Sequence, residues 1–167
     1  YAASMFHLIT HAFFKALLFL AAGSVIMGMH HVQDMRKMGG LYRYMPITWF
    51  TCLIGTLALI GFPGTSGFYS KDSIIEAVHY SQLPAAEMAY YALLIGVFIT
   101  ALYSFRLFFL VFHGKERMDS ESWKRIHESS TVVLIPLILL AIPSLILGYW
   151  TIDVFLISDF FASSIYV

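Results

Sequence analysis

Residues 61–72, Gly-Phe-Pro-Gly-Thr-Ser-Gly-Phe-Tyr-Ser-Lys-Asp, lie in the middle of an apolar run that extends from Pro46 to about Tyr80. A straight helix over that run would be about 52 Å long at about 1.5 Å per residue, whereas the hydrocarbon core of a membrane is about 30 Å thick. Glycine permits unusual backbone angles, and proline lacks the N–H that a continuous helix needs. We therefore predict a discontinuous helix, with halves at about 47–60 and 68–79. The residues expected to break it are Gly61, Pro63, Gly64 and Gly67.

The composition of the whole chain indicates a membrane protein. Of the 167 residues, 59% are hydrophobic and 12% are charged, and the mean hydropathy is +0.77. A soluble domain has roughly a quarter of its residues charged, so we expect an all-α, polytopic transmembrane helix bundle. The ten basic and ten acidic residues balance, and no long-range positive field points to a nucleic-acid partner.

Four apolar runs are long enough to be membrane spans, which need about 20 residues each. They cover about residues 1–29, 46–80, 88–113 and 131–150, and we assign them to one domain, residues 1–150. The tail, residues 151–167, is either the start of another span or a helix at the membrane interface. The chain opens inside an apolar stretch without a methionine, and we expect it to be a piece of a longer polypeptide.

Seven of the ten lysines and arginines lie in two loops that follow the first and third runs. If every run crosses the membrane once, these loops lie on the same side. The connection at 81–87 contains no lysine or arginine, so the positive-inside rule assigns the basic loops to the cytoplasmic or matrix side. The seven residues are Arg36, Lys37, Arg43, Lys115, Arg117, Lys124 and Arg125.

Lys71 and Asp72 follow the predicted break at membrane depth, which argues against an ordinary surface turn between two short helices. A charge in mid-membrane costs about 2.5–3.5 kcal/mol on insertion scales and usually belongs to an ion path. Desolvation lowers the pKa of a lysine and a nearby carboxylate raises it, and a lysine on which both act can gain and lose a proton. A static ion pair that stabilises the break is the alternative. Glu76 is either a further carboxylate of this site or an interfacial residue.

A polar stripe marks the first apolar run, where His7, His11 and Lys15 are spaced four residues apart and so share one helix face. Ser4 extends the stripe. Successive members rise by about 6 Å, a separation suited to a bridging water. Because the unperturbed pKa of histidine lies nearest to neutral pH, we predict a proton relay. Plain helix–helix hydrogen bonding is the alternative for the two histidines.

The sequence does not indicate a metal site, a redox site or a catalytic site. A zinc site needs three or four His, Cys or carboxylate ligands, and the third position of the stripe is a lysine, so we expect no metal. The single cysteine, Cys52, lies in an apolar run and is expected to be a core thiol. Phosphate-binding loops, nucleophile elbows and flavin fingerprints do not occur in the sequence. We expect no redox or catalytic site in this chain.

Three motifs resemble the distal antiporter-like subunits of respiratory complex I, the type called chain L in bacteria and chain five in mitochondria. They are His-Leu-Ile-Thr-His-Ala-Phe-Phe-Lys-Ala-Leu-Leu-Phe at 7–19, Lys-Met-Gly-Gly-Leu at 37–41 and Gly-Phe-Tyr-Ser-Lys-Asp at 67–72. The resemblance covers about residues 1–117 and implies the second half of the antiporter-like fold. It also implies that the histidines and lysine of the first run lead to Lys71, with Asp72, at the outer end of a proton path.

This resemblance implies a proton-translocating, non-redox subunit of NADH-quinone oxidoreductase, in which other subunits hold NADH, FMN, iron–sulfur clusters and quinone. The expected partners are other membrane subunits, above all a neighbouring antiporter-like subunit, together with the lipid bilayer. The link at 61–67 favours a bacterial inner membrane over a mitochondrial one. Two alternatives stay open, a cation/proton antiporter subunit of the Mrp type and a structural membrane anchor.

Overall fold

The computed structural model describes residues 1–118, 123, 125–158 and 160–161, and their regular structure is helical throughout. Two short 3₁₀ turns, Met35–Lys37 and Leu41–Arg43, lie in the first loop. A π-helical turn, Asp153–Ile157, continues the last helix. The five α-helices are α1 (Ala2–Gly28), α2 (Pro46–Ile60), α3 (Ser66–His79), α4 (Ala86–Phe112) and α5 (Thr131–Ile152).

Three helical segments are long and apolar enough to cross a membrane: Ala2–Gly28, Ala86–Phe112 and Thr131–Ile157. The predicted second span is instead divided into the shorter helices α2 and α3. The prediction of a polytopic transmembrane bundle with one discontinuous helix is therefore confirmed.

Three of the four residues expected to break the helix, Gly61, Pro63 and Gly64, lie in the link between α2 and α3. Gly61 ends α2 in the left-handed conformation, with φ of 78°, which a residue with a Cβ adopts only at a cost. Its N–H and that of Phe62 donate to the carbonyls of Ala58 and Leu57, at 3.2 and 2.9 Å, and these two bonds satisfy part of the helix end. The second half begins at Ser66, two residues before the predicted start.

The two halves are laterally offset, because the first turn of α3 lies beside the last turn of α2. A Cβ added to Gly67 would collide with the carbonyl group of Ala58. Glycine is therefore needed here for close approach of two backbones, and Gly67 itself is buried within the first turn of α3 rather than in the link.

Helix α1 lies at the centre of the bundle and contacts α2, α3 and α5. Its buried residues recur every three to four positions, the period of a helix face. Helix α4 contacts α2 and α3 but leaves most of its apolar surface exposed. The buried residues of α1 are Phe6, Thr10, Phe14, Leu17, Ala21, Ser24, Val25 and Gly28.

The two basic loops, which were predicted to lie on the same side of the membrane, contact each other at one end of the bundle. The Gly40 N–H donates to the carbonyl of His113 at 3.2 Å, and the guanidinium of Arg117 donates to the carbonyl of Met35 at 3.2 Å. Lys124 of the second loop lies outside the described residues. In the first loop, hydrogen bonds from Arg36 hold the pKa of the exposed Asp34 carboxyl below its usual value.

The tail continues α5 rather than starting a separate helix within the described residues. Phe155 of the π-helical turn stacks on Phe6 of α1, with ring centroids 5.9 Å apart. Residues 159 and 162–167 lie outside the described part of the chain. The assignment of the tail to a further span or to an interfacial helix stays a prediction.

Candidate functional site

Lys71 is held by the broken end of α2. Its half-buried side chain donates from Nζ to the carbonyl oxygen of Leu59 at 2.7 Å. In a continuous helix that carbonyl would accept from the N–H of residue 63, but residue 63 is a proline and has none. The break thus provides a free acceptor at the negative end of the α2 dipole, and Lys71 occupies it.

The polar stripe of α1 faces α3 at this point. His7 and His11 have ring centroids 5.5 Å apart, and Nδ1 of His7 lies 3.0 Å from the hydroxyl oxygen of Ser70, the residue before Lys71. Lys15 is half-buried and follows His11 on the same helix face. The structure therefore places the histidine end of the stripe against the segment of α3 that carries Lys71.

A proton path through the ionisable groups of this cluster requires bridging molecules between them. Within the described part of the chain, no direct hydrogen bond joins Lys71 to the ionisable residues of the stripe. The rise of about 6 Å between stripe residues is consistent with one water between successive groups.

The acidic candidates lie apart from the cluster. Asp72 is exposed, and among the described residues the one ion pair within 4.0 Å joins Arg36 to Asp34. Neighbouring residues on a helix point about 100° apart, so the ammonium of Lys71 and the carboxylate of Asp72 leave α3 in different directions. Glu76 and Ser4 are also exposed.

Two buried hydroxyls connect the stripe to α3, and the sequence reasoning missed them. Ser70 Oγ lies 3.0 Å from Nδ1 of His7, and Thr10 donates to the same Ser70 oxygen at 2.8 Å. Both hydroxyl residues are fully buried. The available signal was positional, because Thr10 follows His7 by one helix turn and Ser70 immediately precedes Lys71.

A carboxylate from a distant loop caps the start of α2 and was also missed. Glu128 Oε2 accepts from the N–H groups of Ile47 and Thr48 at 2.8 and 3.3 Å, and Oε1 accepts from the Thr48 hydroxyl at 2.6 Å. The residue before α2, Met45, has no side chain that could cap it. A carboxylate at this position satisfies N–H groups and interacts favourably with the positive end of the helix dipole.

The first turn of α3 is fixed against α5 by Ser66. Its hydroxyl donates to the carbonyl of Pro143 at 2.6 Å and accepts from the Gly148 N–H at 2.9 Å. A Cβ added to Gly148 would lie 2.6 Å from Cα of Ser66. The end of the break that precedes Lys71 is therefore locked to a membrane-spanning helix.

The described residues contain no cluster of three or more His, Cys, Asp or Glu side chains that could hold a metal ion. Cys52 is buried, as expected for a core thiol. The polar side chains that this site brings together carry imidazole, ammonium and hydroxyl groups.

A discontinuous transmembrane helix that packs along a polar stripe and carries a half-buried lysine just after its break is typical of a membrane subunit of the antiporter-like fold. The family model described as NADH:quinone oxidoreductase/Mrp antiporter, TM matches residues 1–96. The chain belongs to this family, which confirms the resemblance drawn from its motifs.

Relatives match the full chain or nearly all of it. NADH-quinone oxidoreductase subunit L of Neisseria meningitidis (serogroup A strain Z2491) is 57% identical over 100% of this chain and 27% of its own length. NADH-ubiquinone oxidoreductase chain 5 of Dictyostelium citrinum is 53% identical over 93% of this chain and 23% of its own length. This chain thus spans about a quarter of these relatives.

A solved structure shares the fold. A chain of the membrane-bound sulfane sulfur reductase, an archaeal respiratory membrane complex, superposes with a TM-score of 0.74 at 31% identity. The superposition covers 88% of this chain and 23% of that chain.

Proposed function

We propose that this chain translocates protons as a membrane subunit of NADH-quinone oxidoreductase, and that Lys71 is the group from which protons leave it. The observation that carries the proposal is the hydrogen bond of 2.7 Å from Lys71 to the unsatisfied carbonyl of Leu59 at a helix break. A lysine at membrane depth is costly. This one has an acceptor that suits its charged form and ionisable neighbours on the facing helix.

In this mechanism a proton enters at Lys15 and moves by bridging waters along His11 and His7 towards Lys71. Two ammonium groups in one apolar site repel each other. In this proposal a proton that arrives at Lys15 therefore promotes release from Lys71 to the outer side. The bond to Leu59 holds the charged amine in place until that release.

The remaining chemistry is assigned to partners. This chain supplies proton-carrying groups, and we propose that NADH, FMN, iron–sulfur clusters and quinone are bound by other subunits of the complex. The partners in the membrane are further subunits, including a neighbouring antiporter-like one, and lipid. The similarity to a bacterial subunit L supports a bacterial inner membrane, with the two packed basic loops on the cytoplasmic side.

The test is proton pumping per NADH oxidised, measured in inverted membrane vesicles that contain the parent complex with Lys71→Ala. Native gels report assembly. Lys37→Ala, which removes an exposed loop lysine, is the matched control. We expect Lys71→Ala to assemble and to lose pumping or coupled turnover, while Lys37→Ala retains both.

Either of two experimental results would contradict this proposal. Unchanged pumping in an intact Lys71→Ala complex would make the lysine structural. Pumping in the parent complex that requires added sodium would instead favour cation/proton antiport of the Mrp type.

A further inference from the structure

The buried contact between α1 and α3 is centred on one hydroxyl oxygen. Ser70 Oγ lies 3.0 Å from Nδ1 of His7, 2.8 Å from the Thr10 hydroxyl and 3.2 Å from the carbonyl oxygen of Ser66. Ser70 is fully buried, so these protein groups must satisfy its hydrogen-bonding capacity.

The hydroxyl of Ser70 has one hydrogen to donate and two lone pairs to accept. The Thr10 hydroxyl lies 3.1 and 3.3 Å from the carbonyls of His7 and Phe6, but its shortest contact, 2.8 Å, is as a donor to Ser70, which uses one lone pair. Three acceptors compete for the single hydrogen: the imidazole nitrogen of His7 at 3.0 Å, the backbone carbonyl of Ser66 at 3.2 Å and, more distant, that of Gly67 at 3.5 Å. Whether Nδ1 of His7 carries hydrogen decides the competition, because an Nδ1–H must donate and cannot accept. Nδ1 always carries hydrogen when His7 is charged, and in the neutral ring it does so in one of the two tautomers.

We propose that Ser70 is a positioning residue that passes the protonation state of His7 to the first turn of α3; this inference rests on the proposed proton path. When Nδ1 of His7 is bare, the Ser70 hydroxyl donates to it. When Nδ1 carries hydrogen, that group donates to Ser70 Oγ, and the Ser70 hydrogen turns to the Ser66 carbonyl. Each hydrogen stays on its own heavy atom in this exchange, so no group besides His7 changes charge.

The consequence reaches Lys71 through the local structure. Ser66 is the first residue of α3, and its side chain is bonded to α5, while Lys71 follows Ser70 directly and contacts the end of α2. Adding or removing the Ser70 bond to the Ser66 carbonyl therefore acts on the turn that positions Lys71. The same bond fixes which nitrogen of His7 is free for the bridging water.

The titratable groups around His7 are His11, with ring centroids 5.5 Å apart, and Lys15 on its own helix, and Lys71 on α3, which follows the hydrogen-bond partner Ser70. In the π-helical turn, Phe155 stacks on Phe6 of α1, and Asp153 is exposed. The pH response tested below therefore comes from His7, His11, Lys15 and Lys71, and Ser70 acts on it through its bond to His7.

The experiment compares Ser70→Ala with Ser73→Ala in the parent complex. Ser73 is the matched control, since it lies on α3 and donates to a carbonyl four residues back, that of Tyr69 at 2.6 Å. For both variants, pumping in inverted vesicles is measured from acid to alkaline pH, and native gels report assembly.

We expect Ser73→Ala to pump as the parent does. Ser70→Ala should lose pumping towards the level of Lys71→Ala, with its pH profile displaced by about 0.7 unit. That displacement is a hydrogen bond of about 1 kcal/mol divided by about 1.36 kcal/mol per pH unit.

An unchanged pH profile in Ser70→Ala would overturn the inference, whether or not the pumping rate falls, because a merely structural role moves the rate alone. If Ser70→Ala does not assemble, the pH profile of Thr10→Val is measured instead. That variant removes the hydroxyl that donates to Ser70 and keeps the shape of the side chain.

The proposed function is tested separately. If Lys71→Ala pumps normally, the proton path is wrong, whatever the result for Ser70. Loss of pumping in Lys71→Ala with a parental pH profile in Ser70→Ala overturns only the role of Ser70.

Discussion

Replacing Gly67 by alanine should push apart the two halves of the discontinuous helix. The added methyl would collide with the carbonyl group of Ala58. Both sides of this contact are backbone, so no side chain can rotate to relieve it. Overpacking costs about 1–3 kcal/mol when side chains adjust, and we expect about 3 kcal/mol here, the upper end of that range.

The control is Gly23→Ala on α1, where an added methyl meets no atom within 4 Å. Alanine in a helix interior is more stable than glycine by about 0.5–1 kcal/mol, so this variant should be as stable as the parent or slightly more so. The two substitutions are chemically identical, and only their surroundings differ.

The assay is stepwise heating of the purified parent complex, followed by native gels that detect retention of the chain, with pumping measured before heating. Gly67→Ala should lose the chain at a lower temperature than Gly23→Ala does. Its pumping should also fall, because the bond of 2.7 Å between Lys71 and the Leu59 carbonyl requires α3 to lie beside α2. Equal heat resistance and equal pumping in the two variants would refute the offset arrangement of the halves.

Three further substitutions test the site. Lys71→Arg should keep assembly and lose pumping, because a guanidinium stays charged and cannot release a proton; pumping at the parent rate would contradict proton release from this residue. Glu128→Ala should destabilise the chain by about 1 kcal/mol through loss of the helix cap, seen as earlier dissociation on heating, with Glu116→Ala in the exposed part of the same loop as its control. Asp72→Asn should reduce pumping less than Lys71→Ala does, since the Asp72 carboxylate is exposed and forms no ion pair within 4.0 Å among the described residues; an equal loss would restore Asp72 to the path.

The break and the polar stripe could be predicted because each depends on local sequence. A run too long for one span, with glycine and proline at its centre, fixes where α2 ends. Residues four apart share a helix face whatever the tertiary structure is. The structure has His7, His11 and Lys15 on one helix, and α2 ends at Gly61, one of the residues expected in the break.

The partners of these residues could not be predicted, since they are distant in sequence or belong to the backbone. Lys71 binds a carbonyl 12 positions earlier, and no side-chain pattern reveals a backbone acceptor. Ser70 and Thr10 are 60 positions apart, and Glu128 caps a helix whose start lies about 80 positions before it. Asp72 was expected beside Lys71 from adjacency, but adjacent helix residues diverge.

The contacts at the two ends of α2 suggest why a broken helix serves this site. Glu128 places negative charge at its positive end, and Lys71 places positive charge at its negative end. Each contact is favourable only while the helix stops where it does, because its first N–H groups and last carbonyls would otherwise bond within the helix. In a continuous helix with an N–H at position 63, the Leu59 carbonyl would bond within the helix, and the lysine ammonium would lose this acceptor in the membrane. The break removes regular hydrogen bonds from α2, but it therefore allows an ammonium group to exist at this depth. A site must first hold the charged lysine before it can release the proton of that lysine.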